Sequence, residues 1–140
     1  MSLAKFCFGP YPILQVKKWG ARLSDPIRFS STGPDGWLAT PDQSLEHAEL
    51  LKGSPVGLDH AYFAKPGLRA GIWRCGAYTE RYEDYPVEEF MVVLEGEVTL
   101  TSDGGEGHTF RKGDSFLLPK GFKGTWHQPG PMQKYYVIVG

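Results

Sequence analysis

Glu83, Tyr85 and Glu89 sit at even separations along the chain, so in an extended segment the three side chains share one face. Two carboxylates and a phenol brought together in that way support two chemistries. Through oxygen alone they suit a hard cation such as Mg²⁺ or Mn²⁺, and disfavour zinc or ferrous iron. Without a metal, two buried carboxylates cannot both ionise cheaply, so one acquires a raised pKa and serves as a general acid beside its charged neighbour. The competing reading leaves Glu83 solvated on a charged loop with Glu80, Arg81 and Asp84, and makes Glu89 a hydrogen-bonded carboxylate inside the fold. The stretch from Tyr82 to Pro86 also allows a register in which Asp84 points inward instead of Glu83. Further on, Gly124, Trp126 and Gln128 alternate with Thr125 and His127. A strand there adds an indole and an amide to one face and sends His127 to the other.

Other residues offer less. Trp73 and Cys75 fall on one face of a strand, where core packing is the simpler reading. Lys134, Tyr136 and Ile138 share a face opposite Tyr135, Val137 and Val139; Lys134 there would bridge a rim carboxylate or neutralise a bound one. Asp114, after Gly113, caps its own turn. No Ser-His-Asp or Cys-His arrangement, phosphate-cradling glycine loop or nucleotide fingerprint is visible.

These residues need rigid elements to hold them, and the composition says which kind. The chain of 140 residues is 41% hydrophobic and 22% charged, with 15 Lys+Arg against 16 Asp+Glu. That describes one globular domain without the basic excess used to track phosphates, so nucleic acid is not an expected partner. No apolar run approaches a membrane span, and Met1 to Phe8 lacks the apolar stretch of a signal peptide, so the expected address is the cytoplasm. Cys7 and Cys75 form neither a CxxC pair nor a disulfide framework.

Eighteen Gly, eleven Pro and many aromatic residues favour an all-β fold. Residues 1–56 read as an irregular N-terminal arm, with a strand at Ile13 to Trp19. The arm carries one short helix: Thr40, Pro41 and Gln43 form a capping signal and Gly53 ends it. His47 within it reads as a solvated side chain. From residue 57 to 140 seven strands are expected: Leu58 to Lys65, Leu68 to Tyr78, Glu88 to Thr101, Gly107 to Arg111, Ser115 to Leu118, Lys123 to Gln128 and Gln133 to Val139. Turn chemistry at Lys65-Pro66-Gly67, Ser102-Asp103-Gly104-Gly105, Lys112-Gly113-Asp114, Pro119-Lys120-Gly121 and Gln128-Pro129-Gly130-Pro131 separates several of them.

Two stretches carry a family resemblance. The first runs from Gly76 to Gly96 and ends with Glu89, six residues and Gly96. The second places Gly113, Pro119, Gly121 and Gly124 in order, followed by Gln128. Together they resemble the two motifs of the cupin superfamily of small jelly-roll barrels, in which Gly96, Gly113 and Gly121 would permit the turns of a closed sheet. Trp73-x-Cys75, Leu94-Glu95-Gly96, Gly121-Phe122-Lys123-Gly124-Thr125-Trp126 and Lys134-Tyr135-Tyr136 resemble the single-domain branch that includes ureidoglycine aminohydrolase and the ethanolamine-utilisation cupins.

The resemblance implies an interior site. Metal-binding cupins hold a divalent ion with a His-x-His pair, a glutamate and a third histidine; here Glu83-x-Tyr85, or Tyr82-x-Asp84, replaces the pair and Gly124 the third histidine. Only Glu89 keeps its identity. Gly124 would leave room where the usual ligand stands. The expected catalytic residues are Glu83 and Glu89, the ligand-binding residues Tyr85, Trp126 and Gln128. Any metal, Mn²⁺ or Mg²⁺, would sit on Glu83 and Glu89. Three readings follow: a barrel that binds a small polar organic molecule, with carboxylate acid/base chemistry; an oxygen-ligated metal enzyme acting on a small nitrogenous compound; or a non-catalytic ligand-binding or assembly cupin. A homodimer is implied by the family, with no nucleic-acid or membrane partner.

Overall fold

The computed structural model describes residues 24–38 and 48–140, and the backbone of Gln43–Ser44. The strand expected at Ile13 to Trp19, Cys7 and His47 lie outside these residues. Among the described residues eleven strands appear in chain order: β1 Gln43–Ser44, β2 Leu50–Lys52, β3 Val56–Lys65, β4 Leu68–Cys75, β5 Tyr78–Tyr82, β6 Glu88–Glu95, β7 Glu97–Ser102, β8 Gly107–Arg111, β9 Ser115–Leu118, β10 Gly124–Gln128 and β11 Met132–Val139. All pairings are antiparallel. They build a six-stranded sheet in the order β1-β3-β4-β11-β6-β9 and a five-stranded sheet in the order β2-β5-β10-β7-β8.

The architecture is therefore all-β, as the turn chemistry predicts, but the sheets stay open. No ladder joins one to the other among the described residues, so the closed barrel is corrected to a two-sheet sandwich. Of the expected long strands, Glu88 to Thr101 is divided in two, and Leu68 to Tyr78 stops at Cys75, with β5 following as a strand that was not expected. The chain breaks at Gly76, between β4 and β5, and at Gly96, between β6 and β7, and each break carries it from one sheet to the other. Gly96 has φ 77°, and a Cβ there would collide with the Pro131 carbonyl; only glycine makes that crossing without strain.

The helix expected between Thr40 and Gly53 does not form at the described positions. Gln43 and Ser44 pair with Gly57 and Val56, while Leu50 and Lys52 pair with Glu80 and Thr79. A helix that short is marginal in isolation, and an open sheet edge on either side offers its backbone groups partners. Among the described residues the only helical turn is a 3₁₀ segment at Pro34–Trp37. It delivers Trp37 to the outer face of the six-stranded sheet, against Leu58 and Ile72, with Tyr62, Leu94 and Tyr135 packed around them.

Strand alternation places the core. Tyr78, Glu80 and Tyr82 of β5, Glu89, Met91 and Val93 of β6, Trp126 and Gln128 of β10, and Lys134, Tyr136 and Ile138 of β11 are all buried. Their intervening neighbours on these strands are at least partly exposed. Most of them join Trp73, Tyr85, Val98, Leu100 and Phe116 in one apolar cluster between the sheets. Burial of this kind stabilises by about 25 cal/mol per Å² of apolar surface. Polar groups in the same space must be paired, because burying them alone is costly.

Candidate functional site

The inner face of the six-stranded sheet brings Glu89 and Lys134 together. Ile138 of β11 pairs with Glu89 and Tyr136 with Met91, so Lys134 starts four residues along the strand and reaches back over Met91. Its ammonium lies 2.7 Å from Glu89 Oε2 and 3.2 Å from Met91 Sδ. It also stands 4.7 Å from the ring centre of Trp73 and 4.8 Å from that of Trp126. The other Glu89 oxygen accepts a hydrogen bond of 3.0 Å from the Tyr85 hydroxyl. Glu89 is 3% exposed and Lys134 6%.

Across the sandwich, Glu80 projects inward from β5 and is wholly buried. It accepts a hydrogen bond from the Tyr82 hydroxyl, and the Tyr82 ring meets Tyr85 edge-on at 4.8 Å. Carboxylates from opposite sheets are thus linked through phenols. Burial raises the pKa values of Tyr78, Tyr82 and Tyr85 well above the ordinary phenol value, and the charges of nearby Glu80 and Glu89 push Tyr78 and Tyr85 further in the same direction. Near neutral pH these phenols stay protonated and act as hydrogen-bond donors, not bases.

Aromatic rings pack beside these polar groups. Tyr78 stacks on Trp126 with ring centres 6.4 Å apart and planes 17° from parallel, and Trp73 meets Trp126 edge-on at 6.3 Å. Trp126 Nε1 donates to Gln128 Oε1 at 3.2 Å. The Gln128 amide donates to the carbonyls of Cys75 at 2.9 Å and Gly76 at 3.0 Å. Gln128 is therefore inside, as alternation predicts, but its amide hydrogens hold the β4–β5 crossing.

Tyr85, Glu89, Trp126 and Gln128 are brought together; Glu83 is not. The chain leaves β5 after Tyr82 and turns outward before Tyr85, whose N–H donates to the Phe122 carbonyl and whose carbonyl accepts from the Gly121 N–H. Parity across residues 82–86 is lost in that bend, and both Glu83 and Asp84 face solvent. Glu83 instead pairs with Arg81 at 2.9 Å and Lys123 at 3.4 Å, which hold its carboxyl below the usual range. Glu80 takes the inward position that sequence reasoning assigned to Glu83. The alternation of Tyr78, Glu80 and Tyr82 with Thr79 and Arg81 was the available signal.

Two further expectations change. Gly124 leaves no vacancy, because a Cβ there would strike the Thr101 carbonyl and come within 2.9 Å of Phe122; the glycine allows close approach of β7. Lys134 is not at the rim. A second inner cluster also went unread. Asp59, Arg69 and Tyr136 are buried, with Tyr136 donating to Asp59 at 2.6 Å and Arg69 donating to Tyr136 at 3.0 Å and Asp59 at 3.1 Å. Gly71 makes room for that phenol, since a Cβ there would lie 2.8 Å from its oxygen.

A divalent metal does not fit Glu83 and Glu89, because Glu83 is exposed to solvent and Glu89 is buried between the sheets. Both Glu89 oxygens are engaged, and among the described residues no three His, Cys, Asp or Glu side chains converge.

The family-model comparison decides the kinship: residues 66–136 match the EutQ-like cupin domain. The chain belongs to the EutQ-like cupin family. Solved structures agree on the fold. A DUF861-family protein of unknown function from Pseudomonas syringae is 24% identical with a TM-score of 0.65, over 73% of this chain and 45% of that one. This cupin thus spans under half of that protein. EutQ from Clostridium difficile is 22% identical with a TM-score of 0.53, over 61% of this chain and 69% of that one. A putative ethanolamine utilization protein Q from Salmonella typhimurium is 16% identical with a TM-score of 0.53, over 72% and 94%. No curated protein matches the chain.

Proposed function

We propose that this cupin binds a small polar organic molecule between its sheets, where Glu80 and Tyr82 face Tyr85, Glu89 and Lys134 beside the wall of Trp73, Tyr78 and Trp126. One observation carries the reading: carboxylates from opposite sheets, Glu80 and Glu89, are both buried, and each accepts a hydrogen bond from a phenol, Tyr82 and Tyr85, whose rings touch. A sandwich core does not need them, since apolar residues of similar volume are often as stable as a buried ionic group. Convergent polar groups on aromatic walls are what a small-molecule site requires.

In that reading Glu80 and Glu89 orient the ligand, and the phenols, protonated near neutral pH, serve it as hydrogen-bond donors. The oxygen-ligated metal reading lacks its ligand pair, since Glu83 is exposed and apart from the buried Glu89. The proposed setting is the cytoplasm, supported by the absence of a disulfide framework in the sequence; no described helix is long and apolar enough to cross a membrane.

Thermal melts with a panel of small carboxylic acids, amides, sugars and amines test the reading. A compound that raises the wild-type melting temperature, and fails to do so in Trp126→Phe and Glu80→Gln, supports it. A panel that shifts nothing, or shifts all three proteins alike, overturns it.

A further inference from the structure

A hard cation beside Glu89 would find one carboxylate already hydrogen-bonded by Tyr85, two indole rings and a thioether. Divalent magnesium or manganese demands a shell of oxygen ligands, and this set offers almost none. A primary ammonium has opposite needs. It gains from a single carboxylate partner and from the negative faces of tryptophan rings within about 6 Å. The four surroundings of the Lys134 nitrogen meet those needs: one oxygen at 2.7 Å, one sulfur at 3.2 Å and two ring centres under 5 Å.

The slot is also assembled from separate strands. Trp73 comes from β4, Glu89 and Met91 from β6, Trp126 from β10 on the other sheet, and the ammonium itself from β11. A lysine that only filled space would do so with its methylene stem and send its charge toward water. Here the charged end is the part enclosed.

We propose that the space bounded by Glu89, Trp73, Trp126 and Met91 is a primary-ammonium site whose permanent occupant is the chain's own Lys134. The tethered cation balances Glu89 and shuts both divalent metals and free amines out of that position. The inference goes beyond the ligand-binding reading and does not depend on which organic molecule the protein takes.

Lys134→Ala removes the stem from Cγ to the nitrogen, a fragment equivalent to n-propylammonium, which is therefore the probe. Lys134→Ala should melt several degrees below wild type. Propylammonium chloride should restore part of that loss, and 1-propanol or sodium chloride at the same concentration should not. The wild-type melt should be indifferent to propylammonium, and Mn²⁺ added to wild type should keep the electron paramagnetic resonance spectrum of the free ion.

Equal responses to propylammonium and propanol would overturn the proposal. So would a wild-type melt raised by propylammonium, or one Mn²⁺ bound per chain and lost in Glu89→Gln; either result leaves the ligand-binding reading standing. Should Lys134→Ala fail to fold, Lys134→Met and the double variant Lys134→Met/Glu89→Gln replace it. A double variant more stable than the single one supports a cation held for Glu89, and equal stability refutes it.

Discussion

Glu80 is wholly buried, while Glu83, three residues later, has a side chain 63% exposed. The first ends in a hydrogen bond from Tyr82 between the sheets; the second ends among Arg81 and Lys123 on the surface.

Substitution should separate the two. Glu80→Ala leaves the Tyr82 hydroxyl without that partner and should cost about 1–3 kcal/mol in urea unfolding. Glu83→Ala should lower the neutral-pH melting temperature far less, because a surface pair is screened by solvent. Arg81 lowers the carboxyl pKa values of Glu83 and Asp103 below their ordinary values of 4.5 and 3.8. Their contribution is therefore present above those values and disappears as pH falls through the lowered ones. Arg81→Ala should flatten the stability slope in that acid range, and an unchanged slope would contradict the assignment.

Tyr136→Phe removes a hydroxyl that serves Asp59 and Arg69 at once. A loss of about 1–3 kcal/mol is expected, since both buried charges forfeit a partner. Gly71→Ala forces a methyl against the His60 carbonyl and the Tyr136 oxygen, and should destabilise by about 1–3 kcal/mol as overpacking does. Chemical unfolding of the two variants measures both; a neutral Gly71→Ala would show that β3 and β4 can separate without cost.

Alkaline titration offers a third check. Burial raises the pKa values of Tyr78, Tyr82, Tyr85 and Tyr136 well above 10.0. Their contribution to stability is full below the unfolded value of about 10 and falls as pH climbs from there towards the folded values. Tyrosinate absorbance from these four should appear only with the loss of circular dichroism, in one cooperative step. Gradual ionisation of all seven tyrosines while the fold persists would contradict the burial of these four.

The homodimer implied by the resemblance is a proposal with a definite surface. On the outer face of the six-stranded sheet Phe90 lies opposite Leu117 and Val137, and Phe90, Leu117 and Val139 are exposed. A second copy covering that face would bury them. Light scattering after size exclusion should give a dimer for wild type and a monomer for Phe90→Lys/Leu117→Lys. A wild-type monomer, or a dimer in both, would remove this face from consideration.

Local chemistry made much of the fold legible. Turn residues and alternation placed Gly107–Arg111 and Ser115–Leu118 at the boundaries observed, and glycine spacing pointed to the cupin family, because a turn or a pleat is set by a few adjacent residues. Glu89, Trp126 and Gln128 face inward for the same reason. Parity fails where the chain bends, and so Glu83 gave way to Glu80. The helix expected at Thr40 to Gly53 gave way to sheet edges whose backbone partners lie far along the chain. The Glu89–Lys134 pair, 45 residues apart, and the Asp59–Arg69–Tyr136 cluster depend on which strands become neighbours. Long-range pairing alone decides that, so only the tertiary structure could show that the chain encloses a cation of its own.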